Sequence, residues 1–330
     1  MEFIQSARSK QILAGSIFSF AALFTQFAHA QGGSVLSLKV AYPAGGPSDT
    51  VARHIQASLQ GLLGQTVIVE NAPGASGSIA AAAVANATDA NTLLVSTVND
   101  LVGAPLAMKG VKYKPEGYKL VSPVLDAGVA LVTNTTHNFT SIDDFIEQAR
   151  MRNDKPLTIG TWGHGSATHL IGADFSDKSG VRFLYVPYKG AAPVAQALMS
   201  GEIDLALAPV SGNLPDLIRT NKVRIIGVGS DRRHPLLLDV PTINEGKYVK
   251  NFSHRLWTGV FAPNRVPDAM IDRLNKGINE AMQRDEYQRF IRESGSLSFD
   301  PMTPAQAASF YQSEREKIRR VAQSIKLEPQ

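Results

Sequence analysis

The chain has 330 residues, 44% of them hydrophobic and 19% charged, and its 33 Lys and Arg against 29 Asp and Glu leave a net charge near +4. That composition excludes a disordered chain and a collagen-like or coiled-coil rod; at roughly 100 to 200 residues per domain the length suggests two domains. The basic residues are scattered, with no dense run interleaved with aromatics before the C-terminal helix, which argues against nucleic acid as a partner, and the absence of cysteine removes disulfides, thiolate metal sites and any Cys nucleophile.

Residues 1–30 read as an export signal. A short basic region with Arg8 and Lys10 precedes an uncharged stretch rich in Ile, Leu and Phe, and Ala28-His29-Ala30 stands before Gln31. This is the pattern of a cleaved secretory signal, so the mature chain is expected to begin at Gln31 in a bacterial periplasm. The stretch falls short of the ~20 apolar residues that a spanning helix needs.

From Leu36 onward β-branched runs alternate with helical patterns, the mark of βαβ units and a mainly parallel sheet. Strands are expected at Leu36–Ala41, Thr66–Glu70, Thr92–Ser96, Val129–Thr133, Leu157–Thr161, Arg182–Val186, Ile203–Ala208, Val223–Val228 and Thr258–Ala262. Helices are expected near Ser48–Leu63, Ser78–Ala87, Ser141–Met151, Ala167–Ser179, Ala192–Met199, Leu214–Thr220, Pro267–Arg284, Tyr287–Glu293 and Pro304–Ile325. The last third, with long amphipathic helices after one late strand, reads as a chain that crosses to a second domain and returns. Placing the crossings near Val132–Thr135 and Lys250–His254 makes domain one discontinuous, 31–132 plus 254–330, with 133–253 as domain two.

In parallel α/β sheets, ligands meet the loops at the carboxyl ends of the strands. The first such loop runs Tyr42-Pro43-Ala44-Gly45-Gly46-Pro47-Ser48-Asp49 and opens a helix. Its glycines allow close backbone approach, Ser48 or Asp49 can cap the helix, and the free amides of the first turn suit an anion. Asp49 is also one turn before Arg53, a natural ion-pair spacing. The loop is neither a P-loop nor a dinucleotide fingerprint, because neither spacing is met. An ordinary capped turn is the plain alternative.

A second loop, Gly160-Thr161-Trp162-Gly163-His164-Gly165-Ser166-Ala167-Thr168-His169, again joins a strand to a helix. Two such loops suggest two helix N-termini converging on one cleft, each favouring an anion by about 0.3 to 1 kcal/mol. Trp162 either walls a pocket or packs under the loop. His164 and His169 lack a third metal ligand at recognisable spacing, so no metal and no cofactor is called for. The Gly163-His164-Gly165-Ser166 run departs from the Gly-x-Ser-x-Gly elbow of serine hydrolases, since Thr168 stands where glycine is needed.

Taken together, these residues make the chain similar to the substrate-binding proteins of tripartite tricarboxylate transporters, the Bug family. The resemblance covers almost the whole mature chain. It rests on Tyr42-Pro-Ala-Gly-Gly-Pro-Ser-Asp49 with Arg53, Val69-Glu-Asn-Ala-Pro-Gly-Ala-Ser-Gly-Ser-Ile79, Gly163-His-Gly-Ser-Ala-Thr-His-Leu170, Val186-Pro-Tyr-Lys-Gly-Ala-Ala-Pro193, Met199-Ser-Gly-Glu-Ile-Asp204, Asp239-Val-Pro-Thr242 and Phe261-Ala-Pro263. Each motif alone is weak; their order and spacing are specific.

The resemblance implies a two-domain periplasmic binding protein, a type II-like Venus flytrap in which each domain is a mainly parallel sheet flanked by helices. Such a receptor closes on a small organic carboxylate and delivers it to membrane permease subunits, without chemistry. Carried over position by position, it implies ligand contacts from Ala44, Gly45, Gly46, Ser48 and Asp49, from Gly163, His164, Ser166, Thr168 and His169, and from Thr97, Asn99, Gly190, Ala191 and the stretch after Ala208. Many relatives carry an acidic residue just after the strand Ile203–Leu207; here Ala208-Pro209 follows, with Asn213 nearby. The class of acid, whether di- or tricarboxylate, aromatic or an acidic amino acid, is therefore not carried over. His164 and His169 either assist a second carboxylate, stack on a ring, or serve as caps. A monomer is the default. Two other readings remain at this point: a receptor presenting its ligand to a sensor kinase, and a secreted hydrolase using Ser166 and His169.

Overall fold

The computed structural model describes residues 35–152 and 154–330, so the expected signal segment and its cleavage point at Gln31 lie outside the described residues. Two five-stranded sheets carry the chain. The first has the order β2-β1-β3-β10-β4, with β1 Leu36–Val40, β2 Val67–Asn71, β3 Thr92–Thr97, β4 Tyr118–Asp126 and β10 Trp257–Pro263. The second has the order β7-β6-β8-β5-β9, with β5 Ala130–Asn134, β6 Leu157–Thr161, β7 Phe183–Pro187, β8 Leu205–Ala208 and β9 Val223–Val228.

The two sheets repeat one plan. β1 lies parallel to β2 and β3, while β10 lies antiparallel to β3 and β4. Likewise β6 lies parallel to β7 and β8, while β5 lies antiparallel to β8 and β9. In each sheet the reversed strand is the one by which the chain enters from the other sheet. The central strands β3 and β10 are buried along their whole length, as expected where helices cover both faces.

The helices are α1 Pro47–Leu63, α2 Ser78–Asn86, α3 Val98–Ala107, α4 Ile142–Arg150, α5 Ala167–Ser179, α6 Ala191–Ser200, α7 Leu214–Arg219, α8 Asp268–Met282, α9 Asp285–Ser294 and α10 Pro304–Ser324. Two elements escaped the sequence pattern. β4 contains Lys119, Ser122 and Pro123, which interrupt alternation; it is an edge strand, and Pro123 stands opposite Gly259 where the register slips, a position that tolerates a missing N–H. α3 contains Gly103 and Pro105, both poor helix residues. Packing explains Gly103: a Cβ there would stand 2.2 Å from the carbonyl oxygen of Gly165 and 2.8 Å from Leu170 Cδ1. α3 of the first sheet's layer thus presses against the entry to α5 of the second.

The chain passes between the sheets at Ala127–Val129 and returns before Trp257, and these segments are tied together. Ala127 N donates to the Leu256 carbonyl (2.8 Å), Val210 N to that of Ala127 (2.6 Å), and His254 N to that of Gly229 (2.8 Å). β5 contains the crossing point expected at 132/133 and belongs undivided to the second sheet. The C-terminal α10, started by a reciprocal Thr303–Gln306 capping box, packs on α3 and β4 and reaches α5. Among the described residues no helix is long and apolar enough to cross a membrane.

Candidate functional site

The loop after β1 is built to leave a helix end open. Gly45 has φ +82°, a left-handed conformation that glycine adopts without strain. Gly46 is the N-cap of α1 and has no side chain to accept a hydrogen bond; Pro47 begins the helix. Ser48 and Asp49, the two expected capping side chains, are turned to other work. Ser48 Oγ lies 2.8 Å from Thr258 Oγ1 of β10. The Asp49 carboxylate accepts hydrogen bonds from Gly45 N (2.9 Å), Arg53 Nη2 (3.0 Å) and Asn71 Nδ2 (2.9 Å). Burial opposes ionisation of Asp49, but those hydrogen bonds outweigh it and hold the carboxyl below its usual range. Asp49 therefore fixes the loop from behind, with Arg53 as the i+4 partner that its spacing suggests.

Facing this loop from the second sheet is the start of α6. Its N-cap is Gly190, φ +132°, again without a capping side chain. A Cβ at Gly190 would lie 3.4 Å from Pro43 Cδ, and one at Gly212 3.9 Å from Pro47 Cγ. The Pro43–Pro47 loop is thus held between two glycine turns of the other half. Between them is a cavity of about 290 Å³, bordered by Ala44, Gly45, Gly46 and Ser48 on one side and by Ala191, Ala192 and Asn213 on the other. Thr97 lines it from the end of β3, and the crossing segments supply Leu125, Ala127, Leu256 and Thr258. Tyr42 and Trp162 form one wall, their rings edge-on with centroids 6.0 Å apart.

Of the expected ligand contacts, Ala44, Gly45, Gly46, Ser48, Thr97, Ala191 and Asn213 come together around this cavity. The remainder take other places. Asp49 lies behind the first loop, and Asn99 is buried in a small cavity beside Leu170 and His254. Gly163, His164 and Gly190 border a neighbouring cavity of about 140 Å³, together with Gly74–Gly77 and Asp100.

Ser166, Thr168 and His169 close the N-terminus of α5 from within. Ser166 Oγ accepts from His169 N (3.4 Å), Thr168 Oγ1 from Trp162 N (2.9 Å) and His169 Nδ1 from Gly165 N (3.0 Å). The helix end does meet an anion, but it is the protein's own. Asp100 Oδ1, on α3, accepts a 2.8 Å hydrogen bond from Ala167 N, and Asp100 Oδ2 accepts one of 2.6 Å from Tyr42 OH. Burial drives the Asp100 carboxyl up to about 6 despite these hydrogen bonds. Burial, helped by the adjacent His164, pushes the His169 imidazole down to about 4. Sequence reasoning passed over Asp100, although Thr97-x-x-Asp100 has the spacing of a helix start and Thr97 Oγ1 does accept from Asp100 N.

The profile of the tripartite tricarboxylate transporter family receptor matches residues 51–327. The chain belongs to that family. BugT of Bordetella pertussis is 32% identical to this receptor over 286 residues, spanning 84% of this chain and 85% of BugT. The periplasmic binding protein BugD superposes with a TM-score of 0.81 at 28% identity, covering 90% of this chain and 99% of BugD. An R. palustris protein solved with adipate gives a TM-score of 0.82 at 28% identity, covering 89% of this receptor and 98% of that chain. The family is one of receptors, and Ser166 is fully buried and serves as a helix cap.

Proposed function

We propose that this receptor captures a small organic carboxylate in the cavity between the starts of α1 and α6 and hands it to the membrane permease of a tripartite transporter in the bacterial envelope. The observation that carries the assignment is the pair of uncapped helix N-termini, one from each sheet, bordering one cavity. Each presents unsatisfied backbone N–H groups and the positive end of a helix dipole, and a carboxylate bridging them touches both halves at once. Contact with both halves makes ligand affinity greater for the closed arrangement, which is all that a closure mechanism needs.

The halves that move are proposed to follow the expected division, with its first boundary at the Ala127–Val129 crossing so that β5 stays whole in the second half. Support comes from the two short crossings, joined by the Ala127–Leu256 and Gly229–His254 hydrogen bonds, which place few torsions between the sheets. Carboxylate contacts are assigned to Gly45, Gly46 and Ser48 from one half and Ala191 and Asn213 from the other. The receptor is taken to work as a monomer matured at Gln31.

The test is titration calorimetry of the mature protein against mono-, di- and tricarboxylates with sugars as controls, in wild type and Gly45→Pro. Proline cannot take the φ of +82° found at Gly45 and lacks the N–H that Asp49 accepts. At least tenfold loss of affinity, in a variant whose melting shows it folded, is expected. Unchanged affinity overturns the assignment.

A further inference from the structure

The walls of the cavity say what the rest of the ligand is like. Not one Lys, Arg, His, Asp or Glu lines it among the described residues. Charges beside it are committed elsewhere, Asp49 to Arg53, Gly45 and Asn71, Asp100 to Tyr42 and Ala167, and Asp126 to Gly128 and Arg255, while Lys189 borders the neighbouring cavity of about 140 Å³ and not this one. Two helix ends, each equivalent to roughly half a positive charge, balance about one carboxylate. Away from the helix ends the lining is mainly apolar, with Leu125, Leu256, Pro209, Ala127 and Trp162 beside Tyr42, Thr97 and Thr258. Beneath Trp162 and Pro209 the space continues as a smaller cavity of about 40 Å³ between Val194, Leu198, Leu207 and Leu214, which is deeper still in apolar side chains.

Among the described residues lining the cavity, one fully buried polar side-chain atom has no partner. Ser211 lines both cavities, is 2% exposed, and its Oγ makes no hydrogen bond. A buried hydroxyl left unpaired is costly, and this one borders the space a ligand would fill.

Resting on the receptor reading above, we infer that the ligand is a monocarboxylate with an uncharged, mainly apolar body, carrying one neutral hydrogen-bonding group that pairs with Ser211. The carboxylate sits between the starts of α1 and α6, and the body lies along Trp162, Leu125 and Leu256. A second carboxylate or an ammonium group would lose its water against these side chains and find no charge in return.

The experiment compares acids of similar length on the mature protein by calorimetry: benzoate, the three hydroxybenzoates and cyclohexanecarboxylate against adipate, malate and glutamate, followed by Ser211→Ala. The tightest monocarboxylate should bind at least about tenfold more tightly than adipate, malate or glutamate. Ser211→Ala should weaken the best hydroxybenzoate by about tenfold while changing benzoate by less than about twofold. Equal or tighter binding of adipate, malate or glutamate overturns this inference and leaves the receptor assignment standing. Equal effects of Ser211→Ala on benzoate and hydroxybenzoate overturn the pairing with Ser211. A flat response to every acid, in folded and ligand-free protein, overturns the carboxylate-receptor reading itself.

Discussion

The carboxylate of Asp100 and the backbone amide of Ala167, 67 residues apart, are joined by a 2.8 Å hydrogen bond that closes the start of α5 with a side chain from α3. One sheet's layer thereby caps a helix of the other, and the same carboxylate accepts a 2.6 Å hydrogen bond from Tyr42 OH.

This contact predicts an unusual pH dependence. Asp100 has its folded-state pKa raised from 3.8 to about 6, so the stability it lends is complete below pH ~4 and is lost as the pH rises through about 6. The amount is about 3 kcal/mol at most. Asp100→Asn imitates the protonated form: its carbonyl can still accept from Ala167, and Tyr42 OH can turn its proton to Thr97 Oγ1, 2.9 Å away. Denaturant melts at pH 4 and pH 7.5 should find the variant close to wild type at the lower pH and more stable at the higher. Equal pH slopes in both proteins would contradict the effect.

Glycines at two helix positions should answer oppositely to alanine. Gly103→Ala places a methyl 2.2 Å from a backbone oxygen of the other layer, and should destabilise by about 1 to 3 kcal/mol while forcing α3 from α5. Ligand affinity should fall with it. Gly61, inside α1, has nothing within 4 Å of a Cβ, so Gly61→Ala should gain up to about 1 kcal/mol through backbone entropy. Thermal melts of the pair test both signs together.

Asp49 positions the first loop without lining the cavity. Removing it in Asp49→Ala frees Gly45 N and takes the ion-pair partner from Arg53, which keeps only a 3.4 Å hydrogen bond to Asn71, so affinity should drop by about tenfold for a stability loss of about 1 to 3 kcal/mol. Its carboxyl is held below the usual range, so the stability it lends is present above the unfolded value and disappears as the pH falls through the lower folded one. The acid limb of the wild-type stability curve should therefore be shallower in the variant.

Ser166→Ala tests the assignment of the second glycine loop. As a fully buried N-cap, Ser166 should cost about 1 kcal/mol when removed and leave carboxylate affinity within about twofold, since the helix end stays occupied by Asp100. A strong loss of affinity without loss of stability would return that loop to the ligand.

Much of this receptor is legible in one dimension. The alternation of β-branched runs and helical patterns locates nine of the strands, and Tyr42–Asp49 announces an open helix start because two glycines, a proline and a strand end are local features. β4 and α3 were hidden for the opposite reason: Pro123 and Gly103 are poor local choices, made acceptable by a register slip and by the approach of Gly165. The tertiary structure alone decided which helix ends stay open onto the cavity. The loops at Ser166 and Gly190 both follow strands of the second sheet, and nothing in their spacing tells that Asp100 reaches one and leaves the other open. It also decided the character of the cavity, because Leu125, Ala127 and Leu256 come from crossing segments more than a hundred residues apart, whose meeting depends on how two sheets are joined. Local chemistry determines what a loop can bind, and long-range packing determines what remains free to be bound.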